Sequence, residues 1–399
     1  MKYWRGYVVA ALFAAVAAGL MWFASAHRNL VDMIYPYVTR LVQTTLAEWS
    51  GGVDLCLWQV FLLLLGVGLI ASIVVTIVLK WNFVQLVGWV LAAASLIFML
   101  HTGIYGLNTY AGRLDESGNH VGLADDIRLN IADFQTTGLV EATKYYRDQA
   151  NLCAETMERD ENGDAIFSSF EEMAVQAGEG FQKLVYEKSY SVFAGSTAPV
   201  KKLGWADWYT AMGITGVTMP LTGEAAVNPN IPAVALPFTM CHEMAHRMCI
   251  AVEQDANLAA FLACRENSDL EFRYSGYFMA YIYCYDALIR VGTSAANQAA
   301  KEMVTGINPQ FRRDLEQYSS FYSNNIDQDA SEMADKMNDV YIKLSGDKRG
   351  TQSYSEVSVL LVSWHIQEIY LPEHKDEEQV FDPLDKNQVD ISGLPGAGK

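Results

Sequence analysis

Two histidines and a glutamate carry the strongest chemical signal in this sequence. His242-Glu243-Met244-Ala245-His246 follows the pattern HExxH. On an α-helix, residues four apart share a face, so both imidazoles point toward one place. Neutral imidazole is a good zinc ligand, and a glutamate beside it can take a proton from zinc-bound water. The predicted chemistry is amide hydrolysis at one zinc ion, with Glu243 as general base. Met240, Cys241, Met244, Ala245, Met248 and Cys249 make this helix apolar nearly all round. Such a helix is expected to be buried, and buried histidines need partners, which a metal supplies. The plainer reading is an exposed helix with two incidental histidines.

A catalytic zinc takes a third protein ligand and keeps a fourth position for water. Seven residues after His246 comes Glu253-Gln254-Asp255-Ala256-Asn257, followed by the apolar run Leu258 to Cys264. Glu253 is the expected third ligand, and Asp255 is the reserve. The two lie about 200° apart around a helix, so both cannot face one metal. Asn257 is one turn beyond Glu253, where it could hydrogen-bond a ligand histidine. Acidic residues opening a helix are also favoured by its dipole alone, with no metal involved.

HExxH followed by Glu-x-x-Ala-Asn resembles gluzincin peptidases of the CAAX prenyl protease type, whose second motif is Glu-x-x-Ala-Asp. The resemblance implies Glu253 as zinc ligand and Asn257 in place of the aspartate; the gap between the motifs is much shorter here. The chain also resembles, over nearly its whole length, the bacterial membrane family called domain of unknown function 3810. That likeness rests on Leu221 to Asn228, Leu236 to His246, Glu253 to Cys264 and Tyr274-Ser275-Gly276-Tyr277. It implies a peptidase-like membrane protein. Where the family's glycine is expected, this chain has Cys249. In gluzincins a strand ahead of the metal helix rims the cleft and pairs with extended substrate. Glu224, Ala225, Ala226, Val227 and Asn228 are expected to form that edge; the alternative is a structural hairpin. Tyr274, Tyr277, Arg273 and His365 are candidate oxyanion stabilisers, and each also suits ordinary packing.

The elements that must position this site are mainly helical. Apolar residues at three- and four-residue steps predict helix from Leu123 to Ala177, onward toward Gly195, and again from Pro237 to about Tyr370. Gly216 to Met219 and Glu224 to Asn228 read as short strands. Asp160-Glu161-Asn162-Gly163-Asp164 reads as an Asn-Gly turn, because its glycine is misplaced for a calcium loop. Residues 371–399 are expected to be a disordered tail, and the closing Gly-Leu-Pro-Gly-Ala-Gly-Lys is not a P-loop.

Hydrophobic residues make up 51% of the chain, and the excess is concentrated before residue 108. Three stretches there, about 7–26, 55–79 and 83–107, are long enough to span a bilayer. Lys2, Arg5 and Lys80 place the N-terminus and the second turn in the cytoplasm, so residues from about 108 onward are expected outside. His27, Arg28 and Arg40 run against that orientation. Reading the first span as a signal peptide, cut near Ala24-Ser25-Ala26, gives the same side. The connecting residues 28–54 carry a helical pattern of Leu30, Ile34, Tyr37, Leu41 and Leu46, which suits either the membrane surface or simple packing.

The expected organisation is a membrane anchor at 1–107, then a helical zincin-like domain with a small sheet at 108–370. A formal net charge of −18 excludes a broad basic face for nucleic acid. Six cysteines without a CxxC pair support neither a disulfide framework nor a cysteine zinc site, and Cys241, Cys249 and Cys264 suit burial. The expected partners are the lipid bilayer and a peptide or protein substrate; nothing in the sequence sets the oligomeric state. The rival to a peptidase is a metal-containing membrane sensor or scaffold. Glu243 argues against it, since a structural zinc site has no use for a general base.

Overall fold

A computed structural model of the chain describes residues 2–112, 136–344, 357–370 and 372. Three of its first four helices, α1 (Arg5–Ala26), α3 (Leu57–Val78) and α4 (Phe83–Ile104), are long and apolar enough to cross a membrane. Each has 22 residues, about 33 Å of helix, against roughly 30 Å of hydrocarbon. The third ends earlier than expected, because Gly106–Tyr110 tightens into a 3-10 turn. The backbones of α1 and α4 touch: a Cβ on Gly6 would lie 2.4 Å from the Gly88 carbonyl carbon. The absence of side chains at both glycines permits that approach between the two apolar helices. On α3 the buried residues are Trp58 and Gln59 at one end and Thr76 at the other.

Between α1 and α3 lies α2 (Arg28–Gly51). The predicted helix is present, with its faces arranged the opposite way to a soluble amphipathic helix. Leu30, Ile34, Tyr37 and Leu41 are exposed. The buried side carries Thr39, Arg40, Gln43 and Ser50, with Val31, Pro36 and Ala47.

The remainder packs helices α5 (Thr136–Thr156) and α6 (Phe170–Tyr186) around the helices that hold the site, described below. Ser169 and Glu172 form a reciprocal capping box at the start of α6. The loop before it closes on the expected turn: Asp160 accepts from the Asn162 and Asp164 amides, and Gly163 takes φ +84°. All six cysteines are buried and free. The predicted helix over 123–135 and the predicted tail, apart from Pro372, lie outside the described residues.

A three-stranded sheet precedes the site, with β1 (Lys201–Lys202), β2 (Gly216–Met219) and β3 (Glu224–Val227) in the order β1-β3-β2. A short helix, α7 (Ala206–Ala211), joins the first two strands. β3 pairs parallel with β1 and antiparallel with β2. This overturns one expectation. Glu224, Ala225, Ala226 and Val227 are not an edge but the buried centre, and Asn228 donates inward to Thr210 and Ile214. The strands at the edges are the two-residue β1 and the longer β2. Glu224 instead does structural work. Its carboxylate accepts from the Leu57 and Trp58 amides at the start of α3 and from Lys201 Nζ. An apolar helix long enough to cross a membrane is thereby capped by a residue of the sheet.

Candidate metal centre

The HExxH residues lie on α8 (Leu236–Arg247) and Glu253 opens α9 (Glu253–Glu266). Pro237 sits in the first turn of α8, where a missing N–H costs nothing. The Phe238 amide, one of the donors a helix start leaves free, gives its hydrogen to Ser275 Oγ at 3.0 Å. Ser275 belongs to α10 (Leu270–Val291), so part of the Tyr274-to-Tyr277 motif serves to seat α8.

The far end of α8 turns on Cys249, whose φ is +71°. The Ile250 amide bonds back to the Ala245 carbonyl and the Cys249 amide to that of His246, closing a Schellman-type turn. Glycine suits this left-handed position best, which gives the expected glycine at 249 a physical reason. The turn delivers the Ile250 carbonyl to His246 Nδ1 at 2.8 Å. That contact leaves Nε2 of His246 free to face the site.

Three ligand atoms converge there. His242 Nε2 and His246 Nε2 are 3.0 Å apart, and Glu253 Oε2 lies 3.3 and 3.4 Å from them. Zinc bonds of about 2.0–2.2 Å at tetrahedral angles separate neighbouring ligand atoms by roughly 3.3–3.6 Å. Among the described residues this is the group of histidine, cysteine and acid side chains that could hold a metal ion. Burial works to raise the Glu253 pKa, but the two histidines overcome it and hold the carboxyl well below its ordinary range. Burial likewise acts to lower His246, and Glu253 reverses it, pushing the imidazole up to about 9. The trio is mutually dependent even before a cation is considered.

Glu243 is 5% exposed, and its Oε2 accepts from Thr218 Oγ1 at 2.7 Å. Thr218 lies on the edge strand β2, and so does Gly216. A Cβ at Gly216 would sit 2.4 Å from Glu243 Oε1. Glycine at 216 is what lets the carboxylate rest against the strand. Burial raises the Glu243 pKa, while His242, His246 and Thr218 pull it down.

The other expected residues are placed elsewhere. Asp255 is buried and lines a separate cavity with Arg40, Asn108, Cys249 and Ile250. It is not in the group that His242, His246 and Glu253 form, in keeping with the angle that keeps the two acids from facing one place. Asn257 does not hydrogen-bond a ligand histidine. Its Oδ1 accepts from Tyr283 OH at 3.3 Å and its Nδ2 is buried without a partner.

The contacts of the four oxyanion candidates are with residues outside the cluster. Tyr274 OH donates to Asp314 Oδ2, which Arg159 also grips. Tyr277 packs on Tyr145 and Phe261, and His365 on Tyr145 and Tyr146. Arg273 donates to the Asn267 and Ser268 carbonyls in the turn before α10. The aromatic on α10 that does approach the site is Tyr283, which feels the Glu253 charge besides bonding Asn257. Tyr283 is nine residues beyond Tyr274, half a revolution around the helix. The helical period alone signals that Tyr274 and Tyr283 cannot serve the same side.

The sequence profile of the family described as "Protein of unknown function (DUF3810)" matches residues 31–362, well over half of the chain, and the chain belongs to that family. No curated protein and no solved structure matches it.

Proposed function

We propose that this member of the family is a membrane-anchored, zincin-like metallopeptidase of the gluzincin kind, using one zinc ion held by His242, His246 and Glu253. The observation that carries the reading is the triangle of ligand atoms at 3.0, 3.3 and 3.4 Å beside a buried glutamate. Two neutral imidazoles and one carboxylate are a hard-to-borderline donor set of the kind catalytic zinc takes. When bound, the ion would polarise the scissile carbonyl and lower the pKa of its water.

The chain's own residues supply the rest. Glu243, its basicity strengthened by burial, takes the proton from the attacking water and passes it to the leaving amine. Thr218 holds the carboxylate in place. An extended peptide adding to the outer edge of β2 would run past Glu243, so Gly216–Met219 replaces the central strand as the substrate edge. The charges on Lys2, Arg5 and Lys80 support an extracytoplasmic catalytic part. Glu243→Gln tests the assignment. It is expected to keep stoichiometric zinc and to lose peptide hydrolysis by at least 100-fold. Hydrolysis at the wild-type rate in that variant would remove Glu243 from the chemistry.

A further inference from the structure

The outward face of α2 is apolar over three turns: Leu30, Met33, Ile34, Tyr37, Val38 and Leu41 are all exposed, Leu41 to 70%. Glu48 is the acid on that side, in the last turns beside exposed Trp49. No soluble helix gains by turning such a face to water and its arginine inward.

We propose that α2 lies in the headgroup layer of the bilayer and holds the cleft against the membrane surface, so that the chains presented to Glu243 are membrane-tethered polypeptides. The second half of this statement rests on the peptidase reading; the first does not.

The bilayer is the occupant because α2 is continuous with the membrane spans at both ends. His27 alone separates it from α1, and Gly52–Cys56 join it to α3. The end of α4 is stapled to it too: Tyr35 OH donates to the Thr102 carbonyl, and Thr39 pairs with Asn108. At its other end Lys201 Nζ donates to the Ser50 and Leu55 carbonyls, just before α3 begins. α2 therefore runs at the level where all three spans leave the hydrocarbon, and a helix there buries its apolar side in the interface.

Its polar side grips the site. Arg40 Nε donates to the Met248 carbonyl at the end of the metal helix, and Gln43 Nε2 to the Pro220 carbonyl beyond β2. One helix diameter, roughly 10 Å, thus separates the metal helix from the lipid surface. Two exposed tryptophans extend the contact. Trp205 and Trp208 follow Gly204, which exchanges hydrogen bonds with Gln59 in the first turn of α3. Indole rings favour that depth.

Two measurements test the proposal on the full chain in lipid nanodiscs. Spin labels on Met33→Cys, Leu41→Cys and Glu316→Cys report collision with oxygen, which enriches in lipid, and with a water-soluble nickel chelate. Labels at 33 and 41 are expected to meet oxygen in preference, and the label at exposed Glu316 the nickel chelate. Nickel access at 33 and 41 equal to that at 316 would overturn the interfacial helix. Protection from both reagents would do so as well, by showing a second protein surface over the face.

In parallel, a mixed-sequence fluorogenic peptide pool is offered with and without an N-terminal palmitoyl chain. Wild type is expected to cleave the anchored pool at least tenfold faster, and Ile34→Glu/Leu41→Glu to lose that advantage while retaining the free-peptide rate. Equal rates in wild type would sink the substrate class while leaving the labelling result standing. Absence of cleavage of either pool would instead sink the peptidase reading and the substrate class with it.

Discussion

Replacing Gly216 with alanine probes the site without touching a ligand or the general base. The new Cβ would lie 2.4 Å from Glu243 Oε1, 2.6 Å from Cγ and 2.7 Å from Cδ. Carbon atoms in contact rest about 3.5–4.0 Å apart, so the glutamate side chain must retreat by about 1 Å or the strand must move by as much. A displacement of about 1 Å in a catalytic group costs on the order of 100-fold in rate, or about 2.7 kcal/mol of barrier. The His242, His246 and Glu253 atoms do not face Gly216 in this way, so zinc content should not change. The assay measures hydrolysis of the peptide pool by purified wild type, Gly216→Ala and Glu243→Gln, with zinc content and melting temperature read on each. Gly216→Ala is expected to lose roughly 100-fold in rate, to keep zinc, and to melt within a few degrees of wild type. A zinc-loaded, folded Gly216→Ala enzyme within threefold of the wild-type rate would refute the claim that this glycine exists to seat Glu243.

Two further outcomes follow from buried polar groups. The Lys201 and Glu224 side chains are 9% and 0% exposed, so Glu224→Gln leaves a buried ammonium without its counter-charge. Loss of one partner of a buried pair costs about 3–5 kcal/mol, and the melting temperature should fall by roughly 10 °C. Adding Lys201→Met should recover part of that; no recovery would mean the pair is not coupled. His365 Nδ1 is buried without a partner, and burial pushes the imidazole down to about 4, below its ordinary 6.5. The unfolded chain therefore binds the proton first on acidification. Stability should fall as pH drops from about 6.5 to 4, by at most about 3 kcal/mol, and level off below. Chemical denaturation across that range should show a shallower fall for His365→Phe; equal slopes would remove His365 as the cause.

Much of the site was legible because it is local. The four-residue spacing of His242 and His246 needs only a helix, the angle between Glu253 and Asp255 allows only one of them to face the same place, and the resemblance to the gluzincin motif names Glu253 as that one. Even Cys249 was marked, since the glycine expected there matches the left-handed φ that the turn adopts. What was not legible depends on distant partners. Residues 224–227 are a strand from their pattern, but β1 is only Lys201–Lys202, and that two-residue pairing turns an edge into a centre. Tyr274, Tyr277 and Tyr283 share one helix, and which of them faces the cluster follows from how α10 packs, not from its composition. The α2 pattern announced a helix with two faces. Which face the protein buries depends on whether the other meets water or lipid, and hydropathy alone does not say. The arginine and glutamine that point inward do so because Met248 and Pro220 leave carbonyls for them to cap.

The most direct test of the metal centre is zinc content by mass spectrometry on purified wild type, Glu253→Ala and Asp255→Ala. Glu253 Oε2 stands 3.3 and 3.4 Å from the two ligand nitrogens, whereas Asp255 faces the cavity beside Arg40. One zinc per chain is expected in wild type and in Asp255→Ala, with loss of zinc during purification of Glu253→Ala. Retention by Glu253→Ala with loss by Asp255→Ala would contradict the ligand set, and a wild-type protein without stoichiometric metal would contradict the metal centre itself.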